Sequence, residues 1–137
     1  SPFGNPENGL DIARVVEAAG ANYVARTTVY HAVQIETYLR EALATPGFAL
    51  VEVVSSCPTY FGRLNGMRSA VDTMKWLKEK AVNLKAAEGL TEAERRERIV
   101  TGKFCDRGEP DFNQRYEEIR RAARARGFEP GHVNTGR

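Results

Sequence analysis

The sequence of 137 residues holds only two cysteines, one tryptophan and no apolar run near the ~20 residues that a membrane-spanning helix requires. Two thiols are too few for the dense disulfide framework of a small secreted domain, and no signal-peptide pattern opens the chain. A reducing, cytoplasmic setting is therefore expected, with no membrane role. An excess of one charge is lacking too: a net charge of +2 and a pI near 8.6 are too mild to point to nucleic acid. Neither an internal repeat nor a low-complexity tract is present. What remains is 42% hydrophobic and 28% charged, the balance of a globular chain about the size of one ordinary domain. Its first residue is Ser1 and not Met, and Ser1 to Gly9 is turn-rich without a targeting pattern, as expected of a cut or processed chain.

Apolar residues at Leu10, Ile12, Val15, Val16 and Ala19 predict an amphipathic helix ending at Gly20, followed by a short strand over Tyr23 to Ala25. Ile35, Tyr38, Leu39, Ala42 and Leu43 share one face of a second helix, Ala32 to Ala44, which Pro46 and Gly47 stop. Phe48 to Val54 is nearly continuous in apolar and β-branched residues, which predicts a strand buried on both faces, the habit of a parallel sheet. Strand, helix and strand make a right-handed crossover unit. Beyond Gly66 the pattern predicts a helix from Ala70 to Ala87. A capping box, Thr91 to Glu94, opens a short charged helix; Val100 to Phe104 is extended, and a last amphipathic helix carries Phe112, Tyr116, Ile119 and Ala123. The tail after Pro130 is expected to be mobile. Two parallel strands expose two edges and uncovered apolar faces, so further strands are expected from other polypeptide, and an oligomer follows.

In a crossover unit both strands point their carboxyl ends to one edge of the sheet, where open α/β sheets bind ligands. Arg26, Thr27 and Thr28 meet Ser55, Ser56 and Cys57 at that edge. The arginine and threonines suit anionic groups of a substrate or cofactor; a threonine there also serves as an ordinary helix cap. Cys57, followed by Pro58 where the strand ends, suits a metal or cluster ligand or a nucleophile, and equally a small buried hydrophobe. One cysteine performs neither chemistry alone. His31 reads as a capping or surface residue, with pairing to Cys57 in a stand-alone thiol enzyme as the alternative. Cys105 reads as an incidental thiol. The arginines at 115, 120, 121, 124 and 126 read as a solvated face paired with Glu117 and Glu118, or as a docking surface for an acidic partner.

Several segments together resemble the β subunit of 2-oxoacid:ferredoxin oxidoreductases, with the 2-oxoglutarate type the nearest. They are Ser1 to Gly4, Gly20 to Arg26, Tyr30-His31, Gly47-Phe48, Val51 to Val53, Met74 to Glu79, Ile99 to Lys103, Phe112 to Tyr116 and above all Cys57 to Arg63 (Cys-Pro-Thr-Tyr-Phe-Gly-Arg). The resemblance runs over nearly the whole chain. It implies the carboxyl-terminal half of such a subunit: residues 1–58 as the last part of a thiamine diphosphate-binding α/β domain of parallel strands and crossover helices, and 59–137 as a mostly helical carboxyl-terminal domain.

The resemblance further implies a four-iron four-sulfur (4Fe-4S) cluster held by three early cysteines and one late one, and Cys57 matches the late one. The implied reaction oxidatively decarboxylates a 2-oxoacid, passes electrons through the cluster to ferredoxin and transfers the acyl group to coenzyme A. An α subunit is the implied partner. The Gly-Asp-Gly segment and later Asn that hold magnesium and thiamine diphosphate in the family are not in this sequence. The isolated chain is therefore expected to bind neither and to be inactive, and no residue in it is assigned as catalytic. A non-catalytic assembly or binding module is the rival reading.

Overall fold

Burial explains the centre of the sheet. In the computed structural model, which describes residues 9–127, the strand β1 (Tyr23–Thr28) is buried at every position because it has a neighbour on each side. The strand β2 (Ala49–Val54) lies parallel to it in the register Tyr23↔Ala49 to Thr28↔Val54. They are joined by the crossover helix α2 (Ala32–Ala44), whose bounds are those the sequence predicts. β1 runs three residues past its expected end, through Arg26, Thr27 and Thr28.

The architecture is the expected α/β one, with three departures in detail. First, β2 is half-buried with Val53 exposed, and not covered on both faces: within the described residues it forms an edge of the sheet. Second, the single helix expected over Ala70 to Ala87 divides into α3 (Ala70–Lys80), the three-residue strand β3 (Ala81–Asn83) and the turn of helix α4 (Leu84–Ala87). Asn83 causes the division locally. Its side-chain oxygen accepts the amide of Ala86 at 2.8 Å and so starts a new helix where an old one would have continued. Third, the extended segment expected at Val100 to Phe104 and the short β3 widen the sheet within this chain. The strand β4 (Ile99–Asp106) pairs antiparallel with β1 and parallel with β3, giving the order β2-β1-β4-β3. β4 thus joins residues beyond position 58 to the same sheet as residues before it. The tail after Pro130 lies outside the described residues.

Helix α1 (Ile12–Ala18) lays Ala13 and Val16 on the sheet, where they pack with Ala21, Val24, Leu50, Phe104 and Cys105. Tyr23 and Leu77 are the largest fully buried side chains, and each contributes roughly 1.5–3 kcal/mol by leaving water. The Tyr23 hydroxyl donates to Glu41 at 2.8 Å, and Lys103 reaches the same carboxylate at 2.8 Å, so α2, β1 and β4 are pinned together. Burial and the neighbouring Glu41 charge raise the tyrosine pKa, while hydrogen bonds from Lys103 and Tyr23 keep Glu41 below the usual carboxylate range. The buried Asn22 side chain donates to the carbonyls of Pro46 and Glu109, each at 2.7 Å, joining segments far apart in sequence. Gly47, at φ +86°, permits this approach: a Cβ there would lie 3.0 Å from Asn22 Nδ2.

Candidate functional site

Because β1 and β2 end level with each other, the loops after Thr28 and Val54 leave the sheet side by side. The Val29 amide donates to the Val54 carbonyl at 3.0 Å and extends the pairing past the last strand residues. The residues assigned to this edge from sequence are thus brought together along the chain. Their side chains do different things.

The Arg26 guanidinium is almost fully buried. Its Nε donates to Glu52 at 2.7 Å, its Nη2 donates to Asp11, and it stacks 5.1 Å from the ring centre of Phe104. Two carboxylates therefore neutralise it, and its first task is to tie α1, β1 and β2 together at a groove of about 990 Å³. Thr27 faces the opposite side of the strand, as the alternation of a β-strand requires. Thr28 is fully buried, and its hydroxyl lies 2.9 Å from His31 Nδ1. His31 occupies the cap position of α2 without making a side-chain cap bond.

Cys57 is exposed, which removes the buried-hydrophobe reading. Pro58–Gly62 forms a single wide helical turn closed by the Gly62 amide on the Cys57 carbonyl at 2.9 Å. Wide turns of this kind recur at functional sites. The turn aims its first amides back at the sulfur. The Tyr60 N–H, then the Thr59 hydroxyl, 3.7 Å from Sγ, and the N–H groups of Thr59 and Phe61 all favour negative charge there and hold the thiol below its ordinary pKa. Two contacts pin the turn to α3. Phe61 meets the Trp76 ring edge-on at 4.9 Å, and Gly62 passes so close that a Cβ would lie 3.0 Å from Thr73 Cγ2. These contacts give Phe61 and Gly62 a reason that the sequence alone does not show. Beside the turn, Thr59, Arg63, Met67 and Arg68 line an open groove of about 550 Å³.

Cys57 engages Thr59 while His31 engages Thr28, so the pairing that a stand-alone thiol enzyme requires is not formed. Cys105 is half-buried in the core, with Sγ 3.4 Å from the Ala21 carbonyl, and burial pushes its pKa up. Among the described residues no group of three or more His, Cys, Asp or Glu side chains is placed to hold a metal. The donor set at Cys57 nevertheless fits one ligand of an iron-sulfur cluster: an accessible thiol with N–H groups beside the sulfur that favour its negative form.

No protein-family model matches the sequence. Individual proteins do. Over 119 residues the chain is 40% identical to 2-oxoglutarate synthase subunit KorB of Methanocaldococcus jannaschii, an alignment covering 87% of this chain and 44% of that subunit. The subunit of the same name from Methanothermobacter marburgensis is 40% identical over 115 residues, or 84% of this chain and 40% of the subunit. The chain is homologous to part of subunit KorB. It spans less than half the length of these curated relatives. Among solved structures, a 2-oxoglutarate:ferredoxin oxidoreductase from Magnetococcus marinus, with 2-oxoglutarate, coenzyme A and succinyl-CoA bound, matches at a TM-score of 0.64. That match covers 96% of this chain and 44% of that one at 22% identity, and it shows a shared fold.

The two thiols of this KorB relative should separate cleanly in alkylation. At neutral pH, iodoacetamide is expected to label Cys57 at least about tenfold faster than Cys105, because only the exposed sulfur has its thiolate favoured by surrounding donors. Time-resolved mass spectrometry of the native protein reads both rates. Equal rates, or faster labelling of Cys105, would contradict the geometry of the turn.

Proposed function

We propose that the chain is part of the β subunit of a 2-oxoacid:ferredoxin oxidoreductase acting on 2-oxoglutarate, and that Cys57 is its ligand to a 4Fe-4S cluster. The observation that carries this reading is the exposed, donor-surrounded Cys57 at the carboxyl edge of a parallel strand pair, in a chain 40% identical to KorB. The remaining ligands, and the residues for magnesium and thiamine diphosphate, come from polypeptide outside the described residues. When bound, the thiamine supplies carbanion chemistry and the cluster one-electron transfer.

This chain's contribution is placement. β2 delivers the sulfur to the edge where open α/β sheets hold cofactors, and the Pro58–Gly62 turn fixes it against α3. Thr27 and Thr28 end the neighbouring strand and belong to the cofactor edge. Arg26 supports that edge by holding Asp11 and Glu52, with no free charge left for a phosphate. An α subunit, ferredoxin and coenzyme A are the partners and co-substrates of this reading, in the cytoplasm. Among the described residues no helix is long and apolar enough to cross a membrane.

The test is an assay of the complete enzyme, full-length protein with its α subunit, for 2-oxoglutarate-dependent reduction of methyl viologen and formation of succinyl-CoA. Both activities are expected, with dependence on added coenzyme A for the second. An assembled complex with bound cluster and thiamine diphosphate that oxidises no 2-oxoacid would favour the non-catalytic assembly module.

A further inference from the structure

Thr59 is the second residue of the Pro58–Gly62 turn, and its hydroxyl lies 3.7 Å from Cys57 Sγ. A helical threonine can return its hydroxyl to a carbonyl three or four residues back. Three in this chain do so: Thr37 donates to the Val33 carbonyl at 3.0 Å, Thr45 to that of Glu41 at 2.9 Å and Thr73 to that of Ala70 at 2.8 Å. Thr59 stands too early in its turn to have a helical carbonyl behind it. Among the described residues its hydroxyl bonds to the sulfur alone.

The contact is local and complete within this chain. It spans two residues, and the turn that forms it is held by the Gly62 amide on the Cys57 carbonyl at 2.9 Å and by the Phe61 ring against Trp76. A free thiol and a hydroxyl can each donate to the other, but a sulfur bound to iron carries no proton, so Thr59 is then the donor. The amides of Thr59, Tyr60 and Phe61 that favour charge on the sulfur belong to the backbone; the hydroxyl is the side-chain donor beside them.

We propose that Thr59 is a positioning residue that raises the reduction potential of the cluster through its hydrogen bond to Cys57 Sγ. This rests on the reading of Cys57 as a cluster ligand. Reduction adds one electron, taken in the proposed reaction from the 2-oxoacid and passed on to ferredoxin, and part of the added charge rests on the ligand sulfurs. A donor aimed at one of those sulfurs favours the reduced state.

The test uses full-length protein with its α subunit. It follows, by potentiometric titration under electron paramagnetic resonance, the reduced-cluster signal that Cys57→Ala removes. Thr59→Val keeps the size and β-branching of threonine and deletes the donor. It should disfavour reduction at least about threefold, a fall of ~28 mV in midpoint potential at 59 mV per tenfold. Thr59→Ser puts a hydroxyl back at the same atom and should keep the midpoint near that of the unsubstituted complex. A merely structural role would instead lower the iron content or the melting temperature and leave the potential of the remaining clusters unmoved. An unshifted midpoint in Thr59→Val, or an equal shift in both variants, would overturn the proposal alone. If iron and signal survive Cys57→Ala, the ligand reading fails and this inference with it.

Discussion

Under the ligand role proposed for Cys57, its replacement by alanine in the complete enzyme is expected to strip the cluster of one thiolate ligand and to abolish its paramagnetic signal in the reduced state. Alanine offers no donor, and no other cysteine lies on the Pro58–Gly62 turn to replace the sulfur. Loss of a hydrogen-bonding partner outside the coordination sphere commonly costs metal sites roughly 10–100-fold, and loss of a ligand itself should exceed that in electron delivery to ferredoxin. The fold should survive. Cys57 is exposed, and the turn is held by the Phe61–Trp76 and Gly62–Thr73 contacts, none of which involves the sulfur. Iron analysis and electron paramagnetic resonance give the readout. Cys105→Ala is the control, because that thiol packs against the Ala21 carbonyl in the core and should leave the cluster spectrum unchanged. Retention of iron and signal in Cys57→Ala would return Cys57 to an exposed thiol without a ligand role.

Arg26→Met should have the largest effect on stability. It leaves Asp11 and Glu52 facing one another without the guanidinium that both engage, and it removes the cation stacked on Phe104. Breaking a buried pair by removing one partner costs about 3–5 kcal/mol; the two carboxylates here are partly solvated, which brings the expected loss to about 2–3 kcal/mol. For a chain of this size that corresponds to a fall in Tm of roughly 10 °C. Denaturant titration together with thermal melting measures it. A loss within about 0.5 kcal/mol, the range of an ordinary surface substitution, would show that Asp11 and Glu52 find water as good a partner as Arg26. Glu52→Gln in the same background tests the assignment, since relief of the carboxylate repulsion should restore part of the loss.

Helix α2 and the parallel pairing of β1 with β2 were legible because their signals are local. A one-sided apolar stripe bounded by Pro46-Gly47, and a β-branched run following it, leave few alternatives. β3 was not legible. Val82 and Leu84 continue the apolar pattern of α3, and a three-residue strand is too short to show a period of its own; only the affinity of Asn83 for a cap position marked the break. The antiparallel return of β4 to β1 was equally silent, since pairing partners far apart in sequence leave no spacing to read.

Local sequence specified the helix and strand that bring Cys57 to the carboxyl edge, the family likeness carried by Cys57 to Arg63, and the amphipathic character of the helix Phe112–Ala125, because each depends on neighbours within a few turns of chain. Tertiary structure alone decided what those residues do. It engaged Arg26 with two carboxylates instead of leaving its charge free, bound His31 to Thr28 and away from Cys57, and turned the amides of Thr59, Tyr60 and Phe61 toward the sulfur. Hydrogen bonds and ion pairs form between groups that the fold makes neighbours. Their consequence for a pKa or a ligand role follows from distance and burial, which no one-dimensional pattern contains.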